Sequence, residues 1–479
     1  MKLSGMISKC FLCDANKGEF DTDHRVCTCN GLQEFPQSEH PLYATILPEP
    51  GEYDIGRLPS IHATKFLDLY AMSAQAFTRG SAIPTTALER NARSSSPPRE
   101  KELPAGPMPL HSPNHLYEKF GLTCGNPILY RVERLENWSG FSELYVLDMS
   151  TYLWSGTLKD PRSWAIINTA LDYGITELSL WTAGNAGISL AKIAYAVNRS
   201  LPADKRLHIY GIVDMTVQDE VRSRLRTWQC DVLEMPSKTK PVLDPEEIRA
   251  RVKDQMMTRN QSMNPSKYWH VTDGWDGVGL LMYRYLGAQV IRDVKPKYLV
   301  APVGTGDLLL GFYQGLLDCE RNSEIEKDAC TLVGVVPIGE NILQNIRNQR
   351  INTKDPERRR VIGKNDPVMP KLIGRYSPLA PCIHRLDMLR KVRFVEVDGD
   401  EQVAAGHQVL KGGLDLGIAC EPSALSAFAG LSYVNDIARE LEGGGPTSRL
   451  YKSPSRVVVI NSGSGVMGKK EFELLNMLM

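Results

Sequence analysis

The sequence of 479 residues balances 56 Lys and Arg against 56 Asp and Glu, and it is 42% hydrophobic and 23% charged. A chain without net charge offers no electrostatic hold on nucleic acid or an anionic membrane surface, and no run of about 18 uncharged apolar residues is present to span a bilayer. The length predicts two packed domains with appendages.

The first residues, "MKLSGMISKC", lack the apolar core of a secretory signal. Cys10, Cys13, Cys27 and Cys29 cluster as C-x2-C, thirteen residues, then C-x-C, whereas Cys124, Cys230, Cys319, Cys330, Cys382 and Cys420 stand singly. Scattered cysteines without a signal read as reduced thiols and predict a cytoplasmic protein. The cluster is a candidate structural zinc site, since four thiolates suit tetrahedral zinc. Its C-x-C spacing is tight, His24 is a substitute ligand, and a metal-free reduced ribbon is the alternative. Residues 61–77, "IHATKFLDLYAMSAQAF", predict an amphipathic helix. Residues 78–116 are rich in Ser, Pro and charge and predict a linker or long surface excursion.

From about residue 117 the pattern becomes α/β. "ELYVLDM" (143–149) reads as a strand and "SWAIINTALDYG" (163–174) as a helix closed by Gly174. "ELSLWTAG" (177–184) is a strand running into the helix "NAGISLAKIAYAVNRS" (185–200). The strand "LHIYGIV" (207–213), the helix "VQDEVRSRLRTWQ" (217–229) and the strand "CDVLEMP" (230–236) follow. "KYLVAPVG" (297–304) is a strand before the helix "TGDLLLGFYQGLLDC" (305–319), and "CTLVGVVPIG" (330–339) is again a strand. One helix over 422–441 and the strand "RVVVINSGSG" (456–465) close the series. Short β-rich runs alternating with helices predict parallel-rich sheets flanked by helices. In such sheets ligands sit beyond the carboxyl ends of the strands.

Four strand ends carry the chemistry. The first, "YLWSGTLKDPRSW" (152–164), sets Lys159 in a small-residue turn before a helix. The second, "TAGNAG", runs from Thr182 to Gly187; its small residues let a ligand approach the backbone, and amides at a helix N-terminus favour a carboxylate. The third is "PVGTGD", where Gly304 and Gly306 permit a nest of N–H groups suited to phosphate. The fourth, "INSGSG", offers a neutral hydroxyl from Ser462 or Ser464. A lysine, a phosphate cradle, a carboxylate site and a neutral hydroxyl together are what pyridoxal phosphate requires: a Schiff-base amine, backbone donors and partners for its ring.

Across residues 117–470 the chain resembles the fold-type II pyridoxal-phosphate enzymes, the tryptophan synthase β-like superfamily. "SGTLKDPR" matches that family's "PTGSFKDR", which makes Lys159 the Schiff-base lysine and catalytic residue by resemblance. "TAGNAG" matches "SSGNxG", which implies that Asn185 meets the cofactor ring oxygen and that Thr182, Ala183, Gly184, Ala186 and Gly187 hold the substrate carboxylate. "GTGD" corresponds to the phosphate loop (Gly304, Thr305, Gly306, Asp307), and "SGSG" to the terminal "TGxG", which puts Ser462 at the ring nitrogen. "GIACEPSALSAFAGL" (417–431) is similar to a late family stretch whose helix lines the site.

The N-terminal pattern "CFLC…CTCNGLQEF" is similar to the start of threonine synthases and cysteate synthases. The resemblance implies elimination or replacement at the β- or γ-carbon of a small amino acid with an activated leaving group, threonine-synthase-like. Two alternatives are β-replacement on O-phosphoserine or O-acetylserine and a non-catalytic relative that binds the cofactor. It also implies a homodimer. A nucleotide-binding oxidoreductase using "GTGD" as a dinucleotide turn lacks G-x-G-x-x-G after an early strand and leaves Lys159 unexplained. The expected organisation is a Cys-rich segment at 1–36, a helix and linker at 37–116, a large cofactor-binding domain at 117–155 and 290–479, and a small substrate domain at 156–289. The chain departs from the family pattern at Leu147 and Met149, where "KxE" is usual, at the inserted Pro161, at Asp307, where Gly or Asn is usual, and in lacking the Gly-x-Tyr-Asp-Asp stretch of threonine synthases.

Overall fold

The computed structural model describes four strands within residues 2–46 and, with gaps, residues 127–465. The strands β1 (Lys2–Cys10), β2 (Asn16–Asp21), β3 (Val26–Cys27) and β4 (His40–Ile46) form an antiparallel sheet in the order β2-β1-β4-β3. The sheet therefore takes in residues beyond 36. Cys10 pairs with Leu42 and Cys27 with His40, on the two sides of β4. Cys13, Cys29, the helix expected at 61–77 and the linker at 78–116 lie outside the described residues.

The remaining elements, in chain order, are β5 (Ile128–Arg131), α1 (Glu133–Ser139), β6 (Leu144–Asp148), α2 (Lys159–Asp172), β7 (Glu177–Trp181), α3 (Asn185–Asn198), β8 (His208–Asp214), α4 (Asp219–Thr227) and β9 (Cys230–Met235). After β10 (Tyr268–His270) come α5 (Gly279–Val294), β11 (Tyr298–Pro302), α6 (Asp307–Arg321), β12 (Thr331–Pro337), α7 (Ala380–Met388) and β13 (Val392–Val397). The described chain ends with α8 (Gly399–Gly413), α9 (Pro422–Ala429), α10 (Leu431–Leu441) and β14 (Val457–Asn461).

Two sheets result. One has six strands in the order β13-β12-β11-β14-β6-β5, all pairs parallel except β5 with β6. The other has four parallel strands in the order β10-β7-β8-β9. Parallel strands covered by helices on both faces read as continuous apolar runs, and "YLVAP" of β11 and "VVVIN" of β14 are buried throughout. Alternation divides them between two cores: Leu147, Leu299, Val458 and Ile460 join the cluster shared with the smaller sheet, whereas Val146, Val300, Val457 and Val459 face α9 and α10.

Two helix boundaries differ from the sequence expectation. α2 begins at Lys159, not Ser163, with Pro161 as its third residue. A first-turn proline is tolerated because its missing N–H has no intrahelical partner to lose. The helix expected over 422–441 is two helices joined at Gly430, which packs against Val335 so closely that a Cβ would come within 2.4 Å of it.

Candidate active site

All four predicted segments leave the carboxyl ends of parallel strands: 149–158 after β6, 182–184 after β7, 303–306 after β11 and 462–465 after β14. Three of them interlock through hydrogen bonds.

Asp148, at the end of β6, caps a short 3-10 turn by accepting from the Ser150 N–H at 2.9 Å. The chain then folds over Asp160, which is fully buried. Its carboxylate accepts from the Trp154 N–H at 2.8 Å, the Ser155 N–H at 2.8 Å and the Ser155 hydroxyl at 2.5 Å. Burial pushes the Asp160 pKa above the ordinary carboxylate value, and these hydrogen bonds oppose the rise. Lys159 is the first residue of α2 and is half-buried; its N–H donates to Thr157 Oγ1 at 3.2 Å. Just before it, the Leu158 N–H donates to the Ser462 carbonyl at 2.9 Å, and the Leu158 carbonyl accepts from the Tyr283 hydroxyl of α5 at 2.9 Å. Thr157 and Gly463 form an antiparallel bridge. Gly463 has φ 134°, and a Cβ there would lie 2.3 Å from the Gly156 carbonyl oxygen, so only glycine lets the two strand-end loops meet.

The Thr182–Gly187 loop is tied by one side chain. Thr182 Oγ1 accepts from the Gly184 and Gly187 N–H groups, each at 3.0 Å, which fixes the start of α3. Asn185, the first residue of α3, is buried, and its Nδ2 donates to the Glu421 carboxylate at 3.1 Å. Glu421 stands at the N-cap of α9, and its own N–H donates to the Gly463 carbonyl at 2.9 Å. Ala183 is exposed, whereas Gly184, Ala186 and Gly187 are buried.

At the third end, Gly306 has φ 98°, in the left-handed region, and a Cβ there would lie 2.9 Å from the Ile383 side chain. Thr305 Oγ1 donates to Asp307 Oδ2 at 2.7 Å, so the carboxylate that opens α6 is bound within its own loop. Gly304 and Thr305 are half-buried. β11 is the direct neighbour of β14, which sets this loop at the same sheet end as Ser462. Ser462 is buried, and the residue before it, Asn461, donates from Nδ2 to Asp148 at 2.8 Å and to the Ala419 carbonyl at 2.9 Å. The Asn461 side chain also accepts the Gly463 N–H at 3.2 Å.

Glu421 is the residue that reading the sequence did not single out. It lay within the quoted stretch "ACEPSA" as an acid before a proline, which signals a helix start and not a partner for an asparagine 236 positions away. Among the described residues no group of three or more His, Cys, Asp or Glu could hold a metal.

A family model for pyridoxal-phosphate dependent enzymes matches residues 122–463. The chain belongs to that family. The match takes in three of the strand ends and reaches into the fourth at Ser462 and Gly463, and the fold is similar to those of solved racemases. A pyridoxal 5'-phosphate-dependent aspartate racemase is 14% identical over 74% of this chain and 95% of the racemase, with a TM-score of 0.50. A serine racemase from Dictyostelium discoideum is 14% identical over 74% of this chain and 97% of that protein, with a TM-score of 0.51. No curated protein matches the chain.

The donor set suits the family's cofactor. A primary amine opens α2, a buried amide opens α3, and a glycine loop with a left-handed residue at Gly306 opens α6. Helix N-termini of this kind favour anionic groups.

Proposed function

We propose that this pyridoxal-phosphate enzyme catalyses β- or γ-elimination or replacement on a small amino acid carrying an activated leaving group, in the manner of a threonine synthase. The cofactor, when bound, supplies an electron-withdrawing ring that acidifies the α-proton of an amino acid attached to it. In this reading Lys159 Nζ holds the cofactor covalently, is released by the substrate amine, and then takes the α-proton. Asn185 orients the ring oxygen, and the backbone of Thr182–Gly187 receives the substrate carboxylate. The backbone N–H groups of the loop Gly304, Thr305, Gly306 and Asp307 hold the phosphate. The residues on either side of this cleft correspond to a small substrate domain (156–289) and a large cofactor domain.

The observation that carries the preference for elimination is the fate of the nearby carboxylates. By the resemblance, Ser462 is the ring-nitrogen partner, and the carboxylates around it support this reading, since Asp148 is bonded by Asn461 and Ser150, and Glu421 by Asn185. A neutral partner withdraws less charge from the ring than a carboxylate would, which favours expelling a leaving group over sustaining a carbanion.

Borohydride reduction of the holoprotein followed by peptide mapping is expected to fix the cofactor on Lys159. A screen of O-phosphohomoserine, O-phosphoserine, O-acetylserine, serine and threonine is then expected to release phosphate or acetate from one of the first three. α-Proton exchange with all five and leaving-group release from none would overturn the elimination reading.

A further inference from the structure

Trp154 lies in the turn that delivers Lys159, and its two peptide groups are held by opposite charges. Its N–H donates to Asp160 Oδ2 at 2.8 Å, and its carbonyl accepts from Lys192 Nζ at 2.6 Å. Lys192 belongs to α3, seven residues after Asn185, so the helix that opens on the asparagine also reaches back to the lysine turn. The ammonium lies 5.3 Å from the centroid of the Trp228 ring, which is itself edge-on to Tyr195 with centroids 5.6 Å apart. Burial lowers the Lys192 pKa while the Asp160 charge raises it, so the two groups sense one another across the Trp154 peptide. Asp160, wholly out of solvent, finds in Lys192 a cation of opposite sign.

We propose that Asp160 and Lys192 form a charge clamp on Trp154 that sets the spacing between the α2 and α3 N-termini, and so between Lys159 and Asn185. Both are positioning residues, and this inference rests on the reading of Lys159 as the cofactor lysine. A clamp by two charges on one residue fixes both its N–H and its carbonyl, and it does so from the two helices that carry the lysine and the asparagine.

The test is a double-mutant cycle with Lys192→Met, Asp160→Asn and the double variant, plus Lys192→Arg as the conservative substitution. Each single variant is expected to hold added pyridoxal phosphate about tenfold more weakly and to be labelled more slowly by borohydride at Lys159, with a shifted visible band. The double variant is expected to lose at least about threefold less than the product of the singles, because no lone buried charge remains. Lys192→Arg is expected to recover the wild-type labelling rate. The same cycle on the unfolding of the cofactor-free protein should show coupling of the same sign; independent effects there would overturn the clamp. Failure of the wild-type protein to label at Lys159 would instead overturn the cofactor reading, so the two failures are distinguishable. If a single variant does not fold, Lys192→Arg and the double variant still decide, since the clamp requires both to outperform it.

Discussion

Asp307 is the residue that most sets this chain's glycine loop apart from the family pattern, and its geometry says how the loop accommodates it. The carboxylate turns back onto Thr305 Oγ1 at 2.7 Å and occupies the first position of α6, where the helix dipole favours negative charge. A phosphate bound in the same loop would meet that charge at short range. Asp307→Asn keeps an acceptor for Thr305 and removes the repulsion, so it is expected to tighten retention of pyridoxal phosphate by roughly three- to tenfold, about 1 kcal/mol. Equilibrium dialysis of the two proteins measures this, and weaker binding by the variant would show that the carboxylate serves the ligand. Gly463 makes the complementary point. Alanine there would strike the Gly156 carbonyl, and Gly463→Ala is expected to destabilise the lysine turn by about 1–3 kcal/mol, read as a lower urea midpoint.

At the scale of elements, α5 and α6 form the pair on which the site rests, since α5 supplies Tyr283 to Leu158 and α6 begins in the glycine loop. Their approach is close: a Cβ on Gly315 would lie 2.4 Å from the Ala288 nitrogen and one on Gly311 2.3 Å from the Tyr283 Cβ. The pair is also joined by a two-pronged ion pair, Arg284 Nε and Nη2 to Asp318 at 2.6 and 2.8 Å, with both side chains largely buried. Removing one partner leaves the other charge desolvated. Arg284→Met is expected to cost about 3–5 kcal/mol of stability, and Arg284→Met with Asp318→Leu much less. Urea denaturation of both variants checks this; equal losses would show that the pair adds little beyond packing. Sequence reading found these helices from their apolar spacing, but the glycine contacts between them link positions about 30 residues apart and have no local signature.

For the whole molecule, burial governs the chemistry of the scattered cysteines among the described residues. Cys230, Cys319, Cys330, Cys382 and Cys420 are all buried and unpaired by disulfides. Desolvation raises the Cys230 and Cys319 thiols to about 12 and lifts Cys330 and Cys420 as well. Thiolate is the reactive form, so iodoacetamide at neutral pH is expected to spare all five in the native protein and to modify them after urea unfolding. Fast native labelling at Cys230 would contradict this. Asp148 and Asp160 carry the opposite kind of consequence. Burial raises both pKa values, so folding makes each carboxyl harder to ionise than it is in the unfolded chain. Their contribution to stability is therefore present below the ordinary carboxylate value of about 4 and is lost as pH rises through the raised native values. Asp148→Asn is expected to flatten the pH dependence of the urea midpoint on that limb; an unchanged slope would mean that other groups dominate it.

The alternation of β-rich runs and helices, and the types of residue at four strand ends, were legible in the sequence because they are local. Period, glycine placement and a lysine before a helix depend on neighbours a few positions away. Those features determined the fold class and the candidate residues Lys159, Asn185, Gly306 and Ser462. The start of α2 at Lys159 and the break at Gly430 were not legible, since the first depends on a proline tolerated in a first turn and the second on a distant valine. Only the tertiary structure decided that Glu421 holds Asn185, that Tyr283 holds Leu158, and that Asp160 and Lys192 hold Trp154 from opposite sides. Each of these joins residues that chain order separates and strand order brings together, and a hydrogen bond forms on distance in space, which no local pattern encodes.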